Sequence, residues 1–240
     1  MTTDEMTNDG TSNSPKIVRH VPAGQLCCDP QWEAAYKRFE TAEEEIEKFV
    51  RRLTRFGFTG LPKDARIAEI FCCRGNGLVA LERMGFTHVE GVDLSDTLLE
   101  QYEGGATLHL ADCMQLPFKD DSYDIVIVQG GLHHLPQMPE DLATCLAEVA
   151  RVLKPDGTFY VVEPWSTPFL TMVHLIVEQP IMRKVYAKGD ALAEMTDHER
   201  VTYEQWLGMP TEIMQTFGKY FTAVEKRMAW GKLCYAGKPH

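Results

Sequence analysis

The stretch ARIAEIFCCRGNGLVAL, residues 65–81, decides the fold. Its apolar, β-rich first part enters a tight turn at Arg74-Gly75-Asn76-Gly77, and a helical pattern follows from Leu78. A strand that enters a helix through a glycine turn leaves the first N–H groups of that helix without partners in the chain. In α/β proteins a nucleotide-like cofactor binds at such a turn, so this stretch predicts a cofactor site.

The composition narrows the class of ligand. The chain has 240 residues, of which 44% are apolar, and a formal net charge of −11 at pH 7. This length suits one domain with additions, and the apolar content supports a sizeable core. The acidic balance disfavours extended contact with nucleic acid, which needs Lys and Arg, and it disfavours binding to an anionic membrane. We therefore expect a small-molecule partner.

The cysteines and the N-terminus indicate the compartment. No run of about 18 apolar residues predicts a membrane span, and the polar, acidic first residues do not resemble a signal peptide. The seven cysteines include the adjacent pairs Cys27-Cys28 and Cys72-Cys73. Adjacent cysteines suit neither a disulfide framework nor one shared tetrahedral metal ion. We therefore expect a reduced, cytoplasmic protein without a metal site.

From residue 66 onward, β-like runs alternate with helical patterns. Strands are predicted at 66–72, 88–94, 106–112, 123–129 and 158–164, and helices at 76–85, 95–102 and 139–153. Nearly unbroken apolar runs such as YDIVIVQ (123–129) are typical of buried parallel strands. A turn is expected at Lys154-Pro155-Asp156-Gly157. The last two β-like runs, 221–229 and 232–236, predict an antiparallel edge hairpin.

The predicted fold class is α/β, a doubly wound, mainly parallel Rossmann-like sheet. It has five parallel strands plus the C-terminal antiparallel hairpin, with helices on both faces. The predicted parts are a disordered tail (1–15), a helical layer or lid (16–64), a cofactor-binding core (65–165), a helical acceptor cap (166–218) and the hairpin (219–240). In the lid, Thr41 is the expected N-cap of a second helix, and residues 188–200 form a polar stretch within the cap.

The carboxyl ends of the strands carry the candidate ligand contacts, because ligands of such sheets bind there. These ends are Cys72 to Gly75, Asp93, Asp112, Gln129 and Glu163. A carboxylate after the second strand can accept hydrogen bonds from both ribose hydroxyls, and one after the third can accept from an adenine amine. Asp93 and Asp112 therefore describe an adenosine site, although each could instead cap the turn or helix that follows. Neither G-x-x-x-x-G-K-[ST] nor G-x-G-x-x-G is present, and an adenosine without phosphates indicates S-adenosylmethionine.

Residues 65–165 resemble the class I S-adenosylmethionine-dependent methyltransferases, in particular the subgroup that methylates quinones, sterols, sugars and other small molecules. Glu69 to Gly75 match the first motif, GVDLS (91–95) the ribose motif and DCMQLPF (112–118) the adenine motif. YDIVIVQGGLHHL (123–135) and EVARVLKPDGTFYVVEP (148–164) resemble the fourth and sixth motifs. The resemblance implies methyl transfer from S-adenosylmethionine to a small-molecule acceptor, with S-adenosylhomocysteine as the product.

The resemblance also implies the cofactor contacts. They are Tyr36, Glu69, Phe71, Cys72, Cys73, Gly75, Asp93, Leu94, Asp112, Cys113, Gln129 and Gly130. Cys113 would present its backbone N–H to the adenine, and Gln129 and Gly130 their backbone near the cofactor's amino group. The Tyr36 hydroxyl, in a lid that also carries Arg38, would meet the cofactor's carboxylate. Packing of the Tyr36 ring and a solvated Arg38 are the structural alternative.

Two positions depart from the family pattern, which usually has glycine where this chain has Phe71 and Cys73. A Cβ at Cys73 is incompatible with conformations open only to glycine. We therefore expect either an αR- or β-like turn at Cys73 or a slightly altered pocket. Gly75, at the expected closest approach to the cofactor, is retained. The departure at Cys73 supports an alternative function, a non-catalytic protein that binds S-adenosylmethionine or S-adenosylhomocysteine.

The candidate catalytic residues are His133, His134 and Glu163. Methyl transfer mostly requires positioning of the acceptor, but an acceptor oxygen must also lose its proton, and histidine is suited to accept it. Related small-molecule enzymes carry a similar histidine pair, and Glu163 is a candidate base or orienting group. Packing and helix capping are the structural alternative.

The predicted acceptor is a hydroxylated or aromatic metabolite that is methylated on oxygen or carbon. The residues predicted to build its pocket or lid are Trp165, Phe169, His174, Tyr203, Trp206 and Trp230, with core packing as the alternative. A nucleic-acid acceptor is disfavoured, because QGGL (129–132) stands where enzymes that methylate base amines have Asn/Asp-Pro-Pro-aromatic. A protein acceptor stays open.

Overall fold

A computed structural model describes residues 15–24, 30–177 and 187–240. The described residues form an eight-stranded sheet with the spatial order β1-β4-β3-β2-β5-β6-β8-β7. The strands are β1 Ile17–Arg19, β2 Arg66–Ile70, β3 His88–Asp93, β4 Thr107–Leu110, β5 Tyr123–Gln129, β6 Leu153–Pro164, β7 Phe221–Ala229 and β8 Lys232–Pro239. Strands β1 to β6 pair in parallel, and β8 pairs antiparallel with both β6 and β7. This confirms the predicted mainly parallel sheet with a C-terminal hairpin.

Helices cover both faces of the sheet. They are α1 Pro30–Phe39, α2 Ala42–Arg55, α3 Asn76–Arg83, α4 Asp96–Leu99, α5 Glu140–Val152, α6 Pro168–Val177, α7 Ala187–His198, α8 Arg200–Gly208 and α9 Pro210–Tyr220. Short 3₁₀ turns lie at Phe58–Gly60 and Leu132–His134. The predicted cap of α2 is confirmed, because Thr41 and Glu44 form a reciprocal capping box.

The core consists of two apolar layers, one on each face of the sheet. Alternate residues of β5 serve both layers, with Val126 and Val128 on one face and Ile125 and Ile127 on the other. Helices α5 and α9 contribute to the first layer, and α2 and α3 contribute to the second. A strand that is buried on both faces has no polar side to show, which explains the continuous apolar run that predicted β5.

The structure differs from the predicted elements in three places. Strand β1 extends the sheet beyond β4, although its three residues are too few to give a sequence pattern. Helix α7 occupies most of the polar stretch 188–200. The sequence does not predict it, because its buried residues are the small Gly189, Ala191 and Ala193 rather than an apolar stripe. Strand β6 begins at Leu153, and the predicted turn at 154–157 is a bulge within it, where the register with β5 shifts.

Several predictions fall wholly or partly outside the described residues. These are the tail up to residue 14, the Cys27-Cys28 pair and residues 178–186 of the helical acceptor cap. Among the described helices, none combines the length and the apolar content needed to span a bilayer.

Candidate functional site

A cavity of about 300 Å³ lies beyond the carboxyl ends of β2, β5 and β6, and residues from α1, α2, α6, α7 and α8 also line it. The predicted site residues in its wall are Tyr36, Glu69, Phe71, Cys72, Cys73, Gln129, Gly130, His133 and His134. The predicted residues outside its wall, all within the described ranges, are Gly75, Asp93, Leu94, Asp112, Cys113 and Glu163. The cavity therefore joins the residues expected around the cofactor's amino-acid end to those expected around the acceptor.

A second, larger groove of about 1310 Å³ opens at the opposite end of the sheet. It is lined by residues at the amino ends of strands, such as Arg66, His88 and Asp124. The predicted site residues, all of which the structure describes, lie elsewhere. Because ligands of doubly wound sheets bind at the carboxyl ends of the strands, we take the smaller cavity as the candidate site.

The turn after β2 has an unusual backbone. Phe71 and Cys73 adopt φ values of +59° and +49°, in the left-handed region that glycine normally occupies. The expectation of an αR- or β-like turn at Cys73 is therefore wrong. The chain keeps the glycine-type conformation with side chains at both positions, which is a form of local strain that tertiary contacts must stabilise.

The structure gives a reason for Gly75 within the chain itself, and its predicted approach to the cofactor stays a prediction. Its φ is +76°, and a Cβ added there would lie 2.2 Å from the ring of Tyr102. The Tyr102 side chain is almost fully buried beneath the turn. Packing against Tyr102, together with the positive φ, therefore demands glycine at this position.

Asp93 and Asp112 both accept hydrogen bonds from backbone N–H groups of the chain. Asp93 accepts hydrogen bonds from the N–H groups of Cys73 at 2.8 Å and Ser95 at 2.9 Å. Burial raises the pKa of Asp93, whereas these two bonds lower it. The Ser95 hydroxyl, rather than Asp93, caps α4. Asp112 accepts from the N–H of Met114 at 2.8 Å, which is the predicted turn-capping alternative. Contacts of both carboxylates with an adenosine stay predictions.

Glu69 and Gln129 form what we call the carboxylate–amide corner of the cavity. The Gln129 amide donates to Oε1 of Glu69 at 3.1 Å. Oε2 of Glu69 and Oε1 of Gln129 are buried and have no hydrogen-bond partner in the described part of the chain. Burial raises the pKa of Glu69 to about 8. Two buried acceptor oxygens without donors fit a cationic group, such as the ammonium group of an amino-acid tail.

The Tyr36 hydroxyl is bound within the protein. It donates to Glu45 on α2, and the same Glu45 oxygen accepts from Asn76 at 2.8 Å and from Arg74 at 3.2 Å. Burial raises the pKa of Tyr36 well above its usual value. The single O–H donor of Tyr36 is thus bonded to a carboxylate of the chain. A contact of this hydroxyl with the cofactor stays a prediction. Sequence reasoning missed Glu45 because its helix carries several other charged residues in the same turn.

Arg38 is an exposed side chain, as the structural alternative expects, but it is not without partners. It forms ion pairs with Asp190 and Glu194 on α7. The lid helix α1 is therefore linked to the cap by charge as well as by packing.

Glu163 orients His133. It is fully buried, and its Oε1 accepts from the backbone N–H groups of Gly131 at 2.7 Å and Leu132 at 2.9 Å. His133 donates from Nδ1 to Oε2 of Glu163 at 2.7 Å. Both oxygens are engaged and Glu163 lies outside the cavity wall, which favours the predicted orienting role over the role as a base; both roles stay predictions. This bond leaves Nε2 of a neutral His133 as an acceptor.

His133, His134 and Glu199 converge on one point, and we call them the histidine cluster. Oε2 of Glu199 lies 3.5 Å from Nδ1 of His134 and 3.9 Å from Nε2 of His133. Trp32 donates to the same oxygen at 2.8 Å. Burial lowers the pKa of His134 well below its usual value, and the neighbouring His133 lowers it further. Sequence reasoning missed Glu199, which follows α7 at the end of the polar stretch and carries no motif.

The predicted acceptor residues divide between the cavity and the core. His174 and Tyr203 line the cavity, and His174 Nε2 lies 3.2 Å from the Tyr203 hydroxyl. Trp206 is fully buried and donates to the carbonyl of Pro164 at 2.7 Å, so its packing alternative holds. Trp165 is also in the core, whereas Trp230 is 77% exposed and contacts Phe169 edge to face.

Comparison with known proteins gives a family for the core. Residues 68–161 match the methyltransferase domain family. The chain is 33% identical over 144 residues to a demethylmenaquinone methyltransferase of Staphylococcus aureus, which covers 54% of this chain and 58% of that protein. The chain spans about half the length of the curated relatives it matches.

Solved structures show the same fold. The PH0226 protein from Pyrococcus horikoshii OT3 superimposes with a TM-score of 0.66 at 17% identity, over 89% of this chain and all of that one. The N-methyltransferase NodS from Bradyrhizobium japonicum WM9, solved in complex with S-adenosyl-L-homocysteine, gives a TM-score of 0.54 at 13% identity, over 88% of this chain and 99% of that one. At such identities the likeness concerns the fold alone.

Proposed function

Since the core of this chain belongs to the class I S-adenosylmethionine-dependent methyltransferases, we propose that the protein transfers a methyl group to a small hydroxylated or aromatic acceptor. One observation carries the proposal. A single cavity presents unpartnered acceptor oxygens at the carboxylate–amide corner and a proton-accepting histidine cluster in the same wall. The first suits the cationic tail of the cofactor, and the second suits the hydroxyl group of an acceptor.

The cofactor supplies an activated methyl group when it is bound. We assign its ammonium group to Glu69 and Gln129, because their free oxygens accept hydrogen bonds from a cation. Asp93 would bind the ribose, and Asp112 with the backbone N–H of Cys113 would bind the adenine. This assignment places the methyl group over the turn at Phe71 to Gly75.

The acceptor side depends on His133. Its ring is fixed by Glu163, so Nε2 is the atom that can accept a proton from an acceptor hydroxyl. Aromatic side chains from the lid and cap line the same cavity: Trp32, Tyr36, Phe39, Phe49 and Tyr203. An aromatic wall suits a planar, hydroxylated acceptor. The demethylmenaquinone methyltransferase among the relatives supports this class of acceptor.

Calorimetric titration with S-adenosylmethionine and S-adenosylhomocysteine tests the proposal. We expect saturable binding of one ligand per chain, and weaker binding by Asp93→Ala. Asp156→Ala is the matched control, since Asp156 is exposed in the bulge of β6. Unchanged affinity in Asp93→Ala, under conditions where it is folded, would contradict the ribose assignment. Absence of binding by the unmodified chain would overturn the proposed function.

A transfer assay separates catalysis from binding. The unmodified chain is incubated with S-adenosylmethionine and a series of hydroxylated aromatic compounds, including quinols, and release of S-adenosylhomocysteine is measured. We expect release that depends on the acceptor. Binding of the cofactor without transfer to any acceptor class would support the alternative of a non-catalytic binding protein.

A further inference from the structure

We propose that the histidine cluster of His133, His134 and Glu199 binds a divalent transition-metal ion, and that zinc fits its donor set best. Two imidazoles and one carboxylate are the protein ligands of many catalytic zinc sites. The binding of the ion does not depend on the proposed function. The role that we give to the bound ion does rest on it.

The geometry of the donors supports the site. One ligand atom from each residue lies within 4.8 Å of the other two. Oε2 of Glu199 is 3.5 Å from Nδ1 of His134 and 3.9 Å from Nε2 of His133. Ligand atoms that bind one tetrahedral zinc ion at their usual distances are about 3.3 Å apart. The two separations from Glu199 exceed this value by less than an ångström, and the two histidine ligand atoms lie within 4.8 Å of each other, so side-chain rotations would close the site.

The surrounding contacts hold the ligands in place. His133 donates from Nδ1 to Glu163, which directs Nε2 toward the cluster. Glu163 is itself fixed by two backbone N–H groups, so the orientation of the ring is built into the loop after β5. Trp32 holds Glu199 from the lid. A carboxylate behind a ligating histidine is the usual outer contact of a metal site.

The charge of the site also favours a cation. Glu163 and Glu199 are two carboxylates in contact with the rings of His133 and His134. A divalent ion would balance the two negative charges in this largely buried site.

Three protein ligands leave at least one position of the ion for another group. Since His133 and His134 line the cavity, that position would face the space assigned to the acceptor. There the ion would bind and polarise a hydroxyl oxygen. In the metal-bound form His133 is a ligand rather than a base, and metal binding therefore decides between these two roles.

Cobalt and zinc binding to the full chain, after removal of metals with EDTA, tests the proposal. We expect one Co²⁺ ion per chain with the visible absorption of a tetrahedral site, without the near-ultraviolet bands of cysteine thiolates, and displacement by Zn²⁺. His134→Ala and Glu199→Gln should each weaken Zn²⁺ binding at least 100-fold. Glu163→Gln should weaken it about 10–100-fold through loss of the outer contact. His88→Ala, an exposed histidine at the start of β3, should have no effect.

We expect Glu199→Gln to remain folded, because the amide oxygen of Gln can still accept the hydrogen bond from Trp32. A loss of metal binding in this variant therefore reports on the ligand and not on unfolding. Absence of stoichiometric binding, thiolate bands in the cobalt spectrum, or equal affinity in His134→Ala and Glu199→Gln would overturn the site. The same samples are titrated with S-adenosylhomocysteine. Binding of that ligand without metal binding would remove the metal site alone. Metal binding without S-adenosylhomocysteine binding would remove the proposed function alone.

Discussion

The buried carboxylates of Glu69 and Glu163 differ in how fully they are hydrogen-bonded. At the carboxylate–amide corner, Oε2 of Glu69 and Oε1 of Gln129 have no partner in the described residues. Behind the histidine cluster and outside the cavity wall, both oxygens of Glu163 are engaged by Gly131, Leu132 and His133. A buried polar group without a partner costs about 1–3 kcal/mol, whereas a fully bonded one can stabilise the fold. The difference indicates that Glu69 is placed to bind a ligand and Glu163 to position the ring of His133.

Removing the bonded carboxylate should have the largest effect on stability. Glu163→Ala leaves two backbone N–H groups and His133 without their acceptor, and we expect a loss of about 3–5 kcal/mol in the free energy of unfolding. Urea denaturation measures this loss. Glu212→Ala, at an exposed glutamate on α9, should change the free energy by no more than about 0.5 kcal/mol. A loss below about 1 kcal/mol in Glu163→Ala would mean that the bonds to Glu163 do not stabilise the loop.

Changing the unpartnered carboxylate should affect the ligand instead. Glu69→Gln removes the carboxyl that would lose its proton and carry the negative charge opposite the ammonium group when the cofactor binds, and we expect affinity for S-adenosylhomocysteine to fall about 100-fold, or about 2.7 kcal/mol. The free energy of unfolding of the ligand-free protein should stay the same or rise near neutral pH. Calorimetric titration and urea denaturation of the same samples test both expectations. Equal affinity would show that the ammonium group does not bind at this corner.

Glu69 should also make stability depend on pH. Its pKa is about 8 in the folded state and near the ordinary value of 4.5 in the unfolded state. Between these values the folded chain holds a proton that the unfolded chain has lost, so this carboxyl favours unfolding more as pH rises. We expect the contribution of Glu69 to the free energy of unfolding to fall by about 1.4 kcal/mol for each pH unit between 4.5 and about 8, and to change little above that range. Unfolding of the unmodified chain and of Glu69→Gln between pH 5.5 and 8 should therefore diverge; parallel curves would contradict the raised pKa.

The smallest expected effect concerns the left-handed turn after β2. Cys73→Gly removes a Cβ from a left-handed residue, which relieves about 1–2 kcal/mol of strain but increases the entropy of the unfolded chain. We expect a net gain of at most about 1 kcal/mol by thermal denaturation. Cys72→Gly is the matched control, because Cys72 is buried outside the left-handed region and should lose stability. Destabilisation by Cys73→Gly would show that the thiol contributes packing that outweighs the strain.

Elements with a strong local pattern were predictable from the sequence. Strands β5 and β7 have the predicted bounds, since uninterrupted or alternating β-type runs mark both ends of a strand. Helix α7 was not predictable, because small residues bury it without an apolar stripe. The histidine pair was found, but its partner Glu199 comes from a distant segment that only tertiary packing brings near.

The left-handed turn was likewise hidden from local reasoning. A cysteine and a phenylalanine at glycine positions argue against positive φ, and yet both adopt it. The bond from the Cys73 N–H to Asp93, 20 residues further along the chain, is a contact that helps to hold this geometry. Long-range contacts of this kind override residue preferences and leave no periodic signal.

The Glu45 network has a consequence for the rate of ligand exchange. Glu45 joins α1, α2 and the turn before α3 through Tyr36, Asn76 and Arg74, and Arg38 fastens α1 to the cap. We expect a ligand to enter the cavity between α1 and this turn, which requires several of these hydrogen bonds to break together. We expect slow association, gated by opening of the lid rather than limited by diffusion, and a correspondingly long residence time. Stopped-flow binding should then reach a plateau in observed rate at high ligand concentration, and Glu45→Gln should raise that plateau.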